Sequence, residues 1–181
     1  MVIKNCTRDA AYLQMQKAYC KFLHSSYDYA DSILDHIMLQ DGARKRKCAV
    51  VLDVDGTYIS ENACADFETF SRAIKFVRDC KIKFGDRITI AIITARQSNE
   101  GLIDLFREQN VDDHITAYMY DINQIGTIES KIQNRALLRQ QGYTIVMSIG
   151  DGIYDLVPDT ETRGTNTANI LLSNLYRLRI E

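Results

Sequence analysis

Val50-Val51-Leu52-Asp53-Val54-Asp55-Gly56-Thr57 joins an apolar run to two carboxylates one residue apart, followed by a glycine and a hydroxyl. A strand buried inside a parallel sheet is apolar on both faces, so Cys48 to Leu52 reads as a central strand with the aspartates at its carboxyl end. Open α/β sheets bind their ligands at that end. Side chains two apart on a strand share a face, but Gly56 can take positive φ and turn the chain, which frees the two carboxylates for different roles. Taken alone, the stretch also fits a capped strand end, since Asp-Gly is a common turn pair.

Beyond this turn, strand and helix patterns alternate. Tyr58 to Ala65 reads as a short flap, and Phe67, Phe70, Ile74 and Val77 form a helical stripe closed by Gly85. Arg87 to Thr94 is a second apolar strand, and Ser98 can cap a helix carrying Leu102, Leu105 and Phe106. Ile115 to Tyr120 is a third strand, Ile128 to Gln141 a helix stopped at Gly142, Tyr143 to Ile149 a fourth strand and Asn169 to Leu172 a fifth. The alternation predicts an α/β fold, a doubly wound, Rossmann-like parallel sheet with right-handed crossovers. Pro158, the lone proline, falls in the irregular region after the fourth strand.

Ahead of the central strand, Tyr12, Met15, Tyr19 and Phe22 recur at helical spacing, and Ala30, Ile33, Leu34, Ile37 and Met38 do so again after Ser25-Ser26. This reads as a helical hairpin over residues 1–43, packed through its apolar stripes on an α/β core at 48–176. Asp41-Gly42 ends its second helix. The tetrad Arg44-Lys45-Arg46-Lys47 leads into the strand from the far side, roughly 20 Å from the aspartates at the usual rise per residue, and reads as a solvated lead-in.

The chain of 181 residues, 46% hydrophobic and 25% charged, is sized for one domain that buries about 70% of its unfolded surface. Cys6, Cys20, Cys48, Cys64 and Cys80 are odd in number and form no C-x-x-C pair, which favours buried reduced thiols over disulfides or a zinc site. No stretch approaches eighteen apolar residues and no signal peptide is recognised, so the expectation is a soluble, cytoplasmic protein without a membrane partner. A net charge of −2 supplies no general attraction to nucleic acid.

Further polar residues fall where the strands end. Thr94 closes the second strand with Arg96 two residues on. Lys131 lies in the first turn or so of the helix before the fourth strand, where lysines are ordinarily solvated. Gly150-Asp151-Gly152-Ile153-Tyr154-Asp155 puts two more acids just past the fourth strand, in what is ordinarily a turn. Four acids, a hydroxyl and a cation at one edge of one sheet form a set that packing does not require.

With these residues in view, the chain resembles the haloacid dehalogenase superfamily of phosphohydrolases. Asp53-Val54-Asp55-Gly56-Thr57 fits the D-x-D-G-T signature, Thr94 the strand-end Ser/Thr, Lys131 the lysine, and Gly150-Asp151-x-x-x-Asp155 the acidic motif, in the right order and spacing. Ile93-Thr94-Ala95-Arg96, Gln141-Gly142-Tyr143-Thr144-Ile145, the Leu156 after the acidic motif and Ser173-Asn174-Leu175-Tyr176 look like the plant and bacterial class B-like acid phosphatase branch. Two departures separate the chain from that branch. Gly56 stands where members often carry Glu, and many members are secreted, so substrate and localisation are not carried over.

The resemblance implies a Mg²⁺-dependent phosphatase working through an aspartyl phosphate. Asp53 would be the nucleophile and Asp55 the general acid and base. The Asp53 side chain, the Asp55 carbonyl and Asp151 would hold Mg²⁺, with Asp155 in its outer shell. Thr94 and Lys131 would hold phosphoryl oxygens, and Arg96 joins them as a substrate-binding residue. Phosphate monoester hydrolysis asks for on the order of 20 kcal/mol or more, which no single group supplies. The implied partner is a small phosphorylated substrate, with a phosphorylated nucleotide or oligonucleotide end left open. The gaps between motifs hold no large cap domain, so specificity falls to short loops, the hairpin or a second subunit in a homodimer.

Three other readings use some of the same residues. A phosphoacceptor receiver domain leaves Asp55 unexplained, and a P-loop kinase lacks G-x-x-x-x-G-K-[ST]. The alternative with more force is an inactive binding or storage protein on the same fold.

Overall fold

The apolar run at Val50 forms the middle of a five-stranded, all-parallel sheet. In the computed structural model the described residues are 10–39, 46–59, 68–98, 101–121, 125–157 and 167–172. The strands are β1 (Lys47–Leu52), β2 (Ile88–Ile93), β3 (Ile115–Met119), β4 (Tyr143–Gly150) and β5 (Ala168–Leu171), and the helices are α1 (Ala10–Leu39), α2 (Glu68–Phe84), α3 (Leu102–Glu108) and α4 (Thr127–Gln140). Their order across the sheet is β3-β2-β1-β4-β5, so the chain leaves β1 toward β2 and later returns on its other side at β4.

The two faces of β1 feed two cores. Cys48, Val50 and Leu52 pack with Leu34 and Met38 of α1, Phe76 and Val77 of α2 and Phe106 of α3. Ala49 and Val51 face the other way, with Ala91, Ile93 and Leu138 of α4. Alternation along a strand sends neighbours to opposite faces. Helices on both faces of a parallel sheet make the α/β architecture expected from the strand and helix alternation.

The N-terminal region departs from expectation. Residues 10–39 form one helix of 30 residues, not a hairpin. The Ser25 hydroxyl donates to the Lys21 carbonyl at 3.0 Å and the Ser26 hydroxyl to that of Phe22 at 2.9 Å. Each serine thus satisfies itself within the helix and does not break it. The second apolar stripe is buried through Ala30, Leu34 and Met38, with Ile33 and Ile37 partly buried against the core, whereas Phe22 of the first is exposed. Lys83 of α2 reaches Asp31 at 2.8 Å and Asp35 at 3.2 Å, fastening α1 along α2.

Ser98 does not cap α3, which begins at Leu102 behind Gly101 in the left-handed region at φ 73°. Arg46 and Lys47 are exposed, as a solvated lead-in requires. The Cys48 and Cys80 side chains are buried thiols. The flap after Ile59, the Asp41-Gly42 stop, Arg44, Lys45, Pro158 and Ser173 to Tyr176 lie outside the described residues. Among the described residues no helix is long and apolar enough to cross a membrane.

Candidate functional site

Just past β1, the Asp53 N–H donates to the Ile149 carbonyl of β4 at 3.0 Å. This fixes Asp53 at the crevice between β1 and β4, where the winding of the sheet reverses and open α/β folds bind ligands. The chain then turns tightly, with the Tyr58 and Ile59 N–H groups donating to the Val54 carbonyl, each at 2.8 Å. Gly56 sits in that turn at φ 76°, and a Cβ there would collide with the Asp151 carboxylate, so the position needs glycine twice over. Tyr58 anchors the turn in the core. Its ring stacks edge-on against Phe106 at 4.8 Å, and its hydroxyl bonds the Gln109 side chain at 2.6 Å.

β4 delivers the second acidic pair. Its last residue, Gly150, has no room for a Cβ because Asp155 lies against it. Ile153–Asp155 forms a 3-10 turn that folds Asp155 back, and one of its oxygens accepts from the Gly152 N–H at 2.8 Å. The Ser148 hydroxyl holds the Asp155 carbonyl at 2.6 Å.

Lys131 joins the two ends. It is only 2% exposed, which sets aside the solvated alternative. Its ammonium donates to Asp53 Oδ1 at 2.7 Å and to Asp155 Oδ1, with the Tyr154 ring centroid 4.9 Å away. Thr57 Oγ1 donates to the other Asp53 oxygen at 3.3 Å. Burial pushes the Asp53 carboxyl above its ordinary pKa and Asp155 adds to the effect, against the pull of Lys131. For Lys131, burial works toward a lower pKa, but the two carboxylates outweigh it and hold the ammonium charged.

Asp53, Asp55, Thr94, Lys131 and Asp151, five of the seven residues singled out from sequence, line one cavity of about 220 Å³. Asp155 lies behind it through Lys131. Arg96 does not line the cavity, but its Nε and Nη2 donate to the two oxygens of Asp55, which does, at 2.8 and 2.6 Å. Thr94 is buried, and its hydroxyl accepts from the Arg96 N–H at 3.3 Å.

Asp53, Asp151 and Asp155 each offer an oxygen within 4.8 Å of the others. Lys131 donates to two of these carboxylates, Asp53 and Asp155, while the Asp55 side chain is bonded by Arg96. The all-oxygen donor set of the three fits a hard divalent cation. The Asp55 side chain is not part of this cluster.

Several contributors escaped the sequence reading. Thr127 and Tyr154 also line the cavity, and Arg135, 2% exposed, donates to the Tyr154 carbonyl at 3.1 Å. Thr57 and Tyr154 sat inside motifs already noted, and that placement was their only signal. Nothing distinguishes Arg135 from a surface arginine in the sequence. No family model matches the chain, and no curated protein is detectably similar to it.

Proposed function

We propose that the chain is a Mg²⁺-dependent phosphatase of the haloacid dehalogenase type, hydrolysing phosphate monoesters through an aspartyl phosphate on Asp53. The observation that carries this reading is Lys131. A buried lysine bonded to Asp53 on the wall of a cavity shared with Asp55, Thr94 and Asp151 draws together segments far apart in the sequence. Perturbed ionisable groups in a crevice at strand ends are what phosphoryl transfer uses. At about 220 Å³ the cavity lies below the usual range of about 300–1,000 Å³ for drug-sized ligands, and suits a phosphoryl group with the first atoms of its leaving group.

In this reading the Asp53 carboxylate attacks phosphorus as the bond to the leaving oxygen breaks. Lys131 stays with Asp53 and neutralises charge on the phosphoryl oxygens, and Thr94 supplies a hydroxyl donor to one of them. Asp55 gives a proton to the leaving oxygen, then takes one from the water that attacks the aspartyl phosphate, worth roughly 10²–10⁴-fold. Asp53, the Asp55 carbonyl and Asp151, backed by Asp155, would hold Mg²⁺, which when bound offsets the charge of the carboxylates and the substrate dianion.

The hold of Arg96 on Asp55 is the one observation on the side of a non-catalytic binding protein, since it occupies the residue that would move protons. A phosphate-release screen separates the two. Sugar phosphates, nucleotides, phosphopeptides and phosphorylated oligonucleotide ends are offered with Mg²⁺ and with EDTA. Release from at least one class with Mg²⁺ and none in EDTA is expected. Full release in EDTA would contradict the metal assignment, and binding without release would leave the binding protein.

A further inference from the structure

We propose that Arg96 determines specificity: its guanidinium binds a second anionic group on the leaving-group side of the substrate and so gives up Asp55. The kinetic half of this proposal rests on the phosphatase reading; the binding half does not. Arg96 presents its planar fork to Asp55 and occupies both carboxylate oxygens, at 2.8 and 2.6 Å. A leaving group that approaches an Asp55 oxygen meets the Arg96 guanidinium already on it, with only that oxygen's second lone pair left. A substrate with one phosphate and no other charge offers Arg96 nothing in exchange.

The position of the pair suits an exchange. The Arg96 and Asp55 side chains are 35% and 40% exposed, whereas Lys131 and Asp53 are 2% and 6% exposed. The inner pair is buried, and the outer pair is open to solvent, with Asp55 itself on the cavity wall. A half-exposed pair is screened by water and yields to a competing anion far more readily than a buried one. Asp53 does not depend on Arg96, being held by Lys131 and Thr57. The Arg96 backbone is fixed, its N–H on Thr94 Oγ1 at 3.3 Å and its carbonyl on the Asp121 N–H at 2.9 Å, so only the side chain has to turn. A carboxylate or second phosphate beside the reacting phosphate offers the guanidinium the same forked geometry that Asp55 now fills. The substrate class is therefore small phosphate monoesters that carry a second anion.

The test reads ratios in the full chain with Mg²⁺ in excess. Calorimetry compares methylphosphonate with phosphonoacetate, which adds a carboxylate, and with methylenebisphosphonate, which adds a phosphonate. Wild type should bind at least one two-anion probe about tenfold or more tightly than methylphosphonate, and which of the two it favours identifies the second anion. Arg96→Met should bring the ratio close to one, and Arg96→Lys, which keeps the charge without the fork, should recover part of it. A wild-type ratio near one, or a ratio that survives Arg96→Met, overturns the proposal. Phosphate release is then compared for an ester with a neutral leaving group and one bearing a carboxylate or second phosphate. Release without preference removes the Arg96 assignment and leaves the phosphatase standing. Arg96-dependent probe binding without release from any ester removes the phosphatase and keeps the anion site.

Discussion

Lys131 carries the most physical consequence for its size. At 2% exposure, between the carboxylates of Asp53 and Asp155, it is a charge whose removal leaves two others stranded. Breaking a buried pair from one side costs about 3–5 kcal/mol, so Lys131→Ala should lower the melting temperature by roughly 6–20 °C. Mg²⁺ should recover part of that loss, because a cation among Asp53, Asp151 and Asp155 replaces some of the missing charge. It should not recover kcat/KM, expected to fall at least about tenfold, or ~1.4 kcal/mol. Thermal melts with and without Mg²⁺, alongside kinetics, check both halves; near-normal kcat/KM would move the phosphoryl contact to another residue. At this scale the sequence was informative only through motif spacing. Nothing local marks Lys131 as buried or Arg96 as paired, because each depends on a partner more than forty positions away or in another motif.

At the scale of elements, α1 links the far face of the core to the acidic turn. Tyr27 is fully buried, its ring 5.5 Å from that of Phe76, and its hydroxyl donates to the Thr57 carbonyl at 3.0 Å. Tyr27→Phe keeps the ring and removes that donor, and should cost about 1–2 kcal/mol in denaturant melts. An unchanged midpoint would mean that the carbonyl is satisfied without it. The central strands β1 and β2 were legible because each is a nearly unbroken apolar run, and burial on both faces demands that, whereas the edge strands β3 and β5 are only partly buried. The break at Ser25-Ser26 was not a break, since serine reads as a stop signal unless its hydroxyl bonds back along the helix, and that bond is invisible until the helix exists. α3 begins not at the expected Ser98 cap but behind the left-handed Gly101, which makes no side-chain cap, and no local pattern marked that start.

For the molecule as a whole, the order β3-β2-β1-β4-β5 does the gathering. β1 and β4 are distant in sequence and adjacent in the sheet, so Asp53 and Asp151 meet at the crevice where the winding reverses. The alternation of strands and helices put the residues singled out from sequence on one edge of one sheet, and the strand order, which the alternation leaves open, is why most of them share one cavity. The charge balance did not follow. It took the structure to divide the acids into an inner group on Lys131 and an outer one on Arg96. The central claim is that this arrangement makes Asp53 a nucleophile, and it has a direct measurement. The protein is mixed with a substrate from the screen and Mg²⁺, quenched in acid during turnover, digested and mapped by mass spectrometry. The account predicts one added phosphoryl group on the peptide containing Asp53, absent in EDTA and absent from a folded Asp53→Asn variant that releases no phosphate. Phosphate release by Asp53→Asn at the wild-type rate, or a phosphoryl group trapped on another residue, would contradict it.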